Sequence, residues 1–457
     1  MYIRIKAGTL VACLLVVALC AGIAYTLWNQ GKADRLVQQI LEANPMSEDR
    51  IDITSNGYAY THPTEQKVSY EQALAYALEM VEEYPDHMWT QANSAYTLGQ
   101  LYLKTGHRDE ALSWFKKADS HWNEEAGRWI SILERPDPDT AQLSLSGRVL
   151  MDGEPQADAL VYLRPTDANS WYSPGYLSYP TVMTDQDGIY RFYDALPGSY
   201  EVGVAILPEQ LEGLVRTNAT EEPLVLEAGS SKTFDVRFVP KLETIAPTNG
   251  TEIETDQIRF EWEPYPEAVS YRINIQSLVP DENGQLKGRG AIGLQESWTD
   301  TEAVYEIAEL RGYEGGVHYD TEGPAPQSIL GIVYPGGHFS WSVDAYDAQG
   351  RKLSSSSSYY AAYTNQLPLF SLSVEGQLAG DRYVLARDYE AAIAAYKQEE
   401  HRQEAIRALG LIYAFGTDMR EKGKDVELAK SYLNQLTDPT PFDQQILASL
   451  EREGQPR

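Results

Sequence analysis

The spacing of apolar positions along the chain changes several times, and each change marks a boundary. From about Gly8 to Trp28 apolar residues run on without a charge, behind Arg4 and Lys6. That is close to the ~20 residues a membrane-spanning helix needs, and Tyr25 and Trp28 close the run as interfacial aromatics would. The two leading cations favour a cytoplasmic N-terminus with everything from Asn29 onward exported. Cleavage as a signal peptide, at the small-x-small triplet Gly22-Ile23-Ala24, is the alternative, and it also exports the chain. Residues 1–28 are therefore predicted to be a transmembrane anchor of a single-pass cell-membrane protein, secreted if the segment is cleaved. Residues 29–67 start helical between Ala33 and Ala43 and are then interrupted by Pro45, Asn56-Gly57 and Pro63, the pattern of a connector. In 68–135 the period is helical. Ala73, Ala77 and Met80 share a face up to Pro85, a second helix runs from about Trp89 to Lys104, Gly106 breaks it, and a third begins near Arg108.

The period then falls to two. In 143–239, Leu143, Leu145, Gly147 and Val149 alternate with polar residues, as do Val161 and Leu163, and Asp152-Gly153 and Asp187-Gly188 are hairpin signals. In 240–366 the alternating sets are Phe260 and Trp262, then Tyr271, Ile273 and Ile275, and later Phe339, Trp341, Val343 and Ala345. Between them, 277–337 is long and rich in glycine and proline, which predicts either extra strands or a functional loop. Helical spacing returns in 376–453. The predicted fold class is thus multidomain: an N-terminal transmembrane helix, then all-α helical segments flanking two all-β sandwich domains. The two helical ends are expected to stack on each other or on the sandwiches, because each leaves an apolar face in need of a neighbour.

Leu98, Gly99, Tyr102, Gly106, Ala111, Phe115 and Ala118 fall at the offsets of the tetratricopeptide repeat, and this segment resembles that family. Gly99 and Ala111 would let two helices approach while Tyr102 and Phe115 fill the gaps. Gly380, Tyr383, Ala392 and Tyr396 resemble a second such unit. Leu409, Gly410 and Tyr413 open a third, whose turn is enlarged around 417–424 before Ala429 and Leu433. The resemblance implies peptide binding in a concave groove. The run Thr184 to Phe192 followed by Leu196-Pro197-Gly198-Ser199-Tyr200-Glu201-Val202 resembles the carboxypeptidase regulatory-like domain, a small transthyretin-like sandwich. There Gly188 would supply a positive φ, and Tyr190 and Phe192 would enter the core. Asp185 and Asp187 invite a calcium reading, but the further carboxylates of a calcium loop do not follow, so aspartates capping their own hairpin are expected. The pairing of FEWEPYPEAVSYRINI with FSWSVDAYDAQG resembles a fibronectin type III-like domain.

Composition narrows the function. The formal charge of −30 is spread along the chain, which disfavours nucleic acid as a partner. The two cysteines, Cys13 and Cys20, lie in the apolar N-terminal run, so the remainder can hold no disulfide, zinc–thiolate site or cysteine nucleophile. The seven histidines form no H-E-x-x-H, and neither G-x-S-x-G nor a phosphate-binding Walker loop is present. No catalytic residue, metal site or cofactor is predicted. Tyrosine is unusually favoured, with 31 against 9 phenylalanines, as where one face packs and the other is wet. Trp171, Tyr172, Tyr176 and Tyr179 cluster in one inter-strand segment and are the candidate ligand platform, for sugar rings or a peptide. The competing reading is that they cover the sandwich edge. The function expected first is a membrane-anchored extracytoplasmic scaffold or adaptor at a bacterial cell surface, binding a protein or peptide partner. A cell-wall or polysaccharide-binding surface protein comes second, and an unrecognised hydrolase third.

Overall fold

Helices and β-sheets alternate along the chain in two compact units, one made of residues 1–210 with 218–238, the other of 211–217 with 239–457. The computed structural model describes residues 28–46, 50–54, 57–59, 67–119, 124–134, 141–167, 176–217, 224–280, 284, 286–294, 296–311, 319–320, 323–359, 368–418 and 420–453. The predicted membrane anchor falls almost wholly outside them. Among the described residues no helix is long and apolar enough to cross a membrane.

The first unit opens with helix α1 over 28–41. It is followed by α2 (Tyr70–Glu83), the short α3 (Met88–Ala92), α4 (Ser94–Lys104), α5 (Arg108–Asp119) and α6 (Glu124–Leu133). The Ser69 side chain caps α2 by accepting from the Gln72 amide at 3.3 Å. Gly106, at φ +78°, ends α4. The α4–α5 contact depends on a missing side chain. A Cβ on Gly99 would lie 2.6 Å from the Phe115 ring, so only glycine lets this ring lie flat against the α4 backbone. The described part of the expected connector, 29–67, makes packing contacts. Ala33, Leu36, Ile40 and Ala43 pack against Ala73, Ala77, Met80, Leu98 and Leu101 in one buried cluster, so α1 supplies the partner that α2 needs. Strand Ile51–Thr54 then joins a sheet more than a hundred residues ahead, pairing antiparallel with strand Gly198–Ile206 in the register Ile51↔Ile206.

That sheet runs in the order Gly57–Ala59, Ile51–Thr54, Gly198–Ile206, Leu160–Pro165, Thr181–Met183, with Leu224–Leu226 also pairing Gly198–Ile206. A second sheet centres on Leu143–Met151, flanked by Ile189–Tyr193 and by the parallel strands Lys232–Thr233 and Val236–Pro240. Two glycines again make room: Gly203 for the Tyr162 ring, and Gly147 for the Phe234 carbonyl, which accepts a hydrogen bond from the Tyr190 hydroxyl. The Tyr162 hydroxyl donates to the Asp52 carboxylate and ties the added strand to the sheet. Phe115 and Trp129, stacked at 5.9 Å and 9°, share a buried cluster with Leu160, Tyr162, Met183 and Ala205. The N-terminal helices thus pack on the sheet of their own unit.

In the second unit, Thr244–Ala246, Gln257–Trp262 and Glu302–Glu306 form one sheet. Thr251–Ile253, Leu369–Leu372, His338–Tyr346, Ser270–Pro280 and Leu286–Gly293 form the other, with Lys352–Ser355 on His338–Tyr346. Phe260, Trp262, Tyr271, Trp341 and Phe370 fill the space between them, with Phe260 and Trp341 centred 4.8 Å apart. The long 277–337 stretch extends a hairpin and then docks the C-terminal helices. Ile332, Val333 and Tyr334 belong to the sandwich core, while Ile329, on the short helix Pro326–Leu330, belongs to the core of the C-terminal helices. Arg407 donates to the Ile329 carbonyl at 3.3 Å and to Asp443 at 2.8 Å, and the Tyr389 hydroxyl donates to the Pro324 carbonyl. Among the C-terminal helices, Gly410 faces Leu433, where a Cβ would lie 2.7 Å from the leucine side chain, and the Tyr396 hydroxyl donates to the buried Asp381 at 2.7 Å.

Three turns are closed by the same device. Asp185 accepts from the amides of Asp187 (3.1 Å) and Ile189 (2.9 Å), Asp347 from Gln349 (2.9 Å) and Arg351 (2.8 Å), and Asp418 from Arg420 (2.7 Å) and Lys422 (3.0 Å). Each is an aspartate bonding the backbone two and four residues on. Asp185 is therefore committed to its hairpin. Among the described residues no group of three or more His, Cys, Asp or Glu converges to hold a metal.

Gly99→Leu is expected to destabilise the first unit by at least ~1–3 kcal/mol, the usual range for overpacking, read as a lower chemical-denaturation midpoint. A wild-type midpoint would contradict the Gly99–Phe115 contact. Arg407→Met leaves Asp443, whose side chain is 1% exposed, without its cation. A loss of about 3–5 kcal/mol is expected, confined to the unfolding transition of the second unit. Burial works to raise the Asp185 carboxyl, but the Ile189 amide, the Arg191 side chain and the Asp187 amide outweigh it and hold the carboxyl below its ordinary value. A depressed folded pKa contributes stability that is fully present above the unfolded value of about 3.9 and is lost as pH falls through the folded one. Asp185→Asn should thus be less stable than wild type at neutral pH, with the gap closing below about pH 4. A gap independent of pH in denaturation curves would count against the hairpin closure.

Candidate functional site

The described end of the aromatic segment turns toward the core of the first unit. Tyr179 is half-buried and stacks on Tyr162, with ring centres 6.0 Å apart and 18° between planes. Its hydroxyl is buried with no hydrogen-bond partner among the described residues. Tyr176 opens a single 3-10 turn, Tyr176–Ser178, of which only the backbone is described at that residue. Trp171 and Tyr172 lie outside the described residues. Leu177 is half-buried against the cluster that contains Phe115 and Trp129.

Leu177 also forms one wall of a pocket of about 440 Å³. The other walls come from helix geometry. Tyr96, Gln100 and Lys104 are spaced i, i+4 and i+8 on α4 and so lie along one face. Glu125, Arg128 and Trp129 come from the first half of α6, and Arg50 from the residues leading into strand Ile51–Thr54. The floor is rigid, since Trp129 is stacked on Phe115 and Tyr96 lies 5.6 Å from the same ring.

A hydrogen-bond chain orders the polar groups. Gln100 Nε2 donates to the Tyr96 hydroxyl at 2.9 Å, and that hydroxyl donates to Glu125 Oε2 at 3.0 Å. Burial pushes the Tyr96 phenol well above its ordinary range, and the neighbouring Glu125 charge adds to this, so the phenol stays protonated and keeps its donor role. Lys104 Nζ donates to the Tyr70 hydroxyl at 3.1 Å and lies 4.7 Å from the centre of that ring. Among the described residues neither Arg50 nor Arg128 has an ion-pair partner. The pocket thus offers guanidinium, ammonium and amide donors, a fixed carboxylate acceptor and aromatic walls.

A second pocket, of about 200 Å³, is lined by Arg108, Glu134, Asp185 and Arg191 over an apolar floor including Leu133 and Met183. Its charges are already engaged. Arg108 donates to the Thr184 carbonyl at 3.1 Å, Arg191 meets Asp185 at 3.3 Å, and Glu134 meets Lys116 at 2.7 Å. The first of these ties α5 to the end of strand Thr181–Met183.

Of the aromatic segment, Leu177 lines this pocket. Tyr96, Gln100 and Lys104 carried a legible signal, polar residues at four-residue spacing on an otherwise buried helix. Arg50 and Arg128 carried none, because their proximity to α4 arises only from the fold.

Compared with protein-family models, and with curated proteins, the chain matches none. Among solved structures, a DUF3823 family protein from Bacteroides ovatus aligns at 13% identity over 51% of this chain and 100% of its own, with a TM-score of 0.16. A putative carbohydrate binding protein from Bacteroides uniformis aligns at 14% identity over 46% of this chain and 96% of its own, also at 0.16. The chicken CNTN1 FN1–FN3 domains align at 11% identity over 47% of this chain and 60% of their own, at 0.13. Likenesses this slight leave the reading of the chain to its own residues.

Proposed function

We propose that this is a non-catalytic surface binding protein, held at the outside of the membrane by its apolar N-terminal run, and that the first unit carries its site and recognises a glycan. The single observation that carries the reading is the Arg50–Gln100–Glu125–Arg128 pocket. Sugar hydroxyls both donate and accept, and this pocket offers both kinds of partner between the aromatic residues Tyr96 and Trp129. The aromatic segment ends at its wall through Leu177. Within this proposal the helices of 68–135 and 376–453 are tetratricopeptide-like, 143–239 is carboxypeptidase regulatory-like and 240–366 is fibronectin type III-like, on the motif residues given above. Those units serve as a rigid mount for the site. A protein or peptide partner is the second reading. It is favoured by the exposed apolar side chains Met46 and Met88 near the same helices.

The test is a glycan array probed with the full chain, beside a peptide array. At least one glycan class is expected to bind, and Leu177→Trp, which fills the pocket from its wall, is expected to weaken that binding at least about tenfold without moving the melting temperature. Peptide binding without glycan binding would transfer the function to the second reading.

A further inference from the structure

The charge of the pocket runs against that of the chain. The protein has 37 Lys and Arg against 67 Asp and Glu, so a pocket drawn at random should be acidic. This one is lined by Arg50, Lys104 and Arg128 against a single carboxylate, Glu125. The three cations come from three separate segments: the residues before the first strand, the end of α4 and the middle of α6. Their convergence therefore depends on the fold and is not a run of basic sequence. Two of the three are arginines, whose planar forks match a carboxylate through paired N–H groups.

We propose that the pocket selects a sugar acid, a ring that carries free hydroxyls together with a carboxylate. The proposal rests on the glycan reading above and narrows it. A neutral sugar would leave the charges of Arg50 and Arg128 unpaired, whereas a carboxylate can pair with them. A multiply charged anion such as a phosphate group would place its second charge near Glu125, which the Tyr96 hydroxyl holds in position at 3.0 Å. Glu125 instead accepts from a ligand hydroxyl while Arg50 and Arg128 take the carboxylate, so the site asks for a donor and one negative charge within a short span. A sugar acid has both on a single ring. An acidic peptide carries its carboxylate on a flexible stem, apart from its backbone donors. The volume of about 440 Å³ lies within the range of small-ligand sites.

The experiment compares the affinity of the full chain for monomeric galacturonate, for its methyl ester and for polyglutamate. The acid should bind at least about tenfold tighter than the ester, one charge-assisted pair being worth roughly that factor. Arg128→Gln and Arg50→Gln should each weaken the acid about tenfold and the ester by a clearly smaller factor. Arg128 is exposed on α6, so its replacement spares the core. On the unmodified chain, raising salt from about 0.05 M to 0.5 M should weaken the acid and not the ester, because screening acts on the charged contact. Equal affinity for acid and ester, or a salt-independent acid affinity, overturns the sugar-acid proposal and leaves the glycan reading standing. Binding of polyglutamate in place of both sugars, or of none of the three with no hit on the glycan array, overturns both.

Discussion

Phe115 lies between the bare backbone of Gly99 and the indole of Trp129, and the geometry of the first unit depends on that contact. On one side, the absence of a Cβ at Gly99 brings α4 and α5 together. On the other, the near-parallel stack on Trp129 sets the position of α6. The same cluster continues into Leu160 and Tyr162 of the sheet, so helices and strands share one core. Tyr96, Gln100 and Lys104 are carried on α4, Glu125 and Arg128 on α6. Their facing positions across the pocket are consequences of how Phe115 is packed. A close-packed interior transmits a displaced ring to everything mounted on it, and the pocket is mounted on this one.

The parts of this arrangement that were legible in the sequence are the local ones. Gly99, Ala111 and Phe115 stand at fixed spacings along two adjacent helices, and a spacing can be read without knowing the rest of the fold. The alternation at Leu143, Leu145, Gly147 and Val149 and the Asp187-Gly188 turn are equally local. The strand Ile51–Thr54 was not legible, because its partner Gly198–Ile206 lies far along the chain and a four-residue strand has little pattern of its own. Helix 28–41 was visible as a helix but not as the packing partner of α2, since the breaks after it suggested a connector. The pocket was hidden for a related reason. Its cations belong to three segments that no motif links. Of the four aromatics read as a platform, Tyr179 stacks on Tyr162 with its hydroxyl buried, at the edge of the core.

The second unit uses chain length in a different way. A stretch such as 277–337, long and rich in glycine and proline, suggests a surface loop, and buried loops are rare because their backbone groups need partners. Here the partners are supplied by the helices that come later in the chain. Tyr389 takes the Pro324 carbonyl and Arg407 that of Ile329, while Tyr319, in the stretch itself, donates its hydroxyl to the Phe415 carbonyl at 3.3 Å. The insertion is thereby part of two cores, through Ile332 to Tyr334 on the sandwich side and Ile329 on the helical side. Its length is what allows one segment to reach both.

The acidity of the chain acquires a structural meaning from these contacts. Asp185, Asp347 and Asp418 close turns by accepting from their own backbone, Asp381 and Asp443 anchor helices through Tyr396 and Arg407, and Asp52 ties an added strand to its sheet. Carboxylates are suited to this work because they accept from several donors at once. With 67 Asp and Glu against 37 Lys and Arg, the chain carries a net negative field. Against that background a pocket where arginines outnumber carboxylates is a local inversion of sign, maintained although Glu125 is held within it by Tyr96. An anion approaching an acidic surface is repelled, whereas at this pocket it meets an excess of cations. The same field disfavours long polyanions, whose many charges would have to cross acidic surface to place one group in the site. The ligand best matched to both is short, singly charged where it enters, and otherwise polar and neutral.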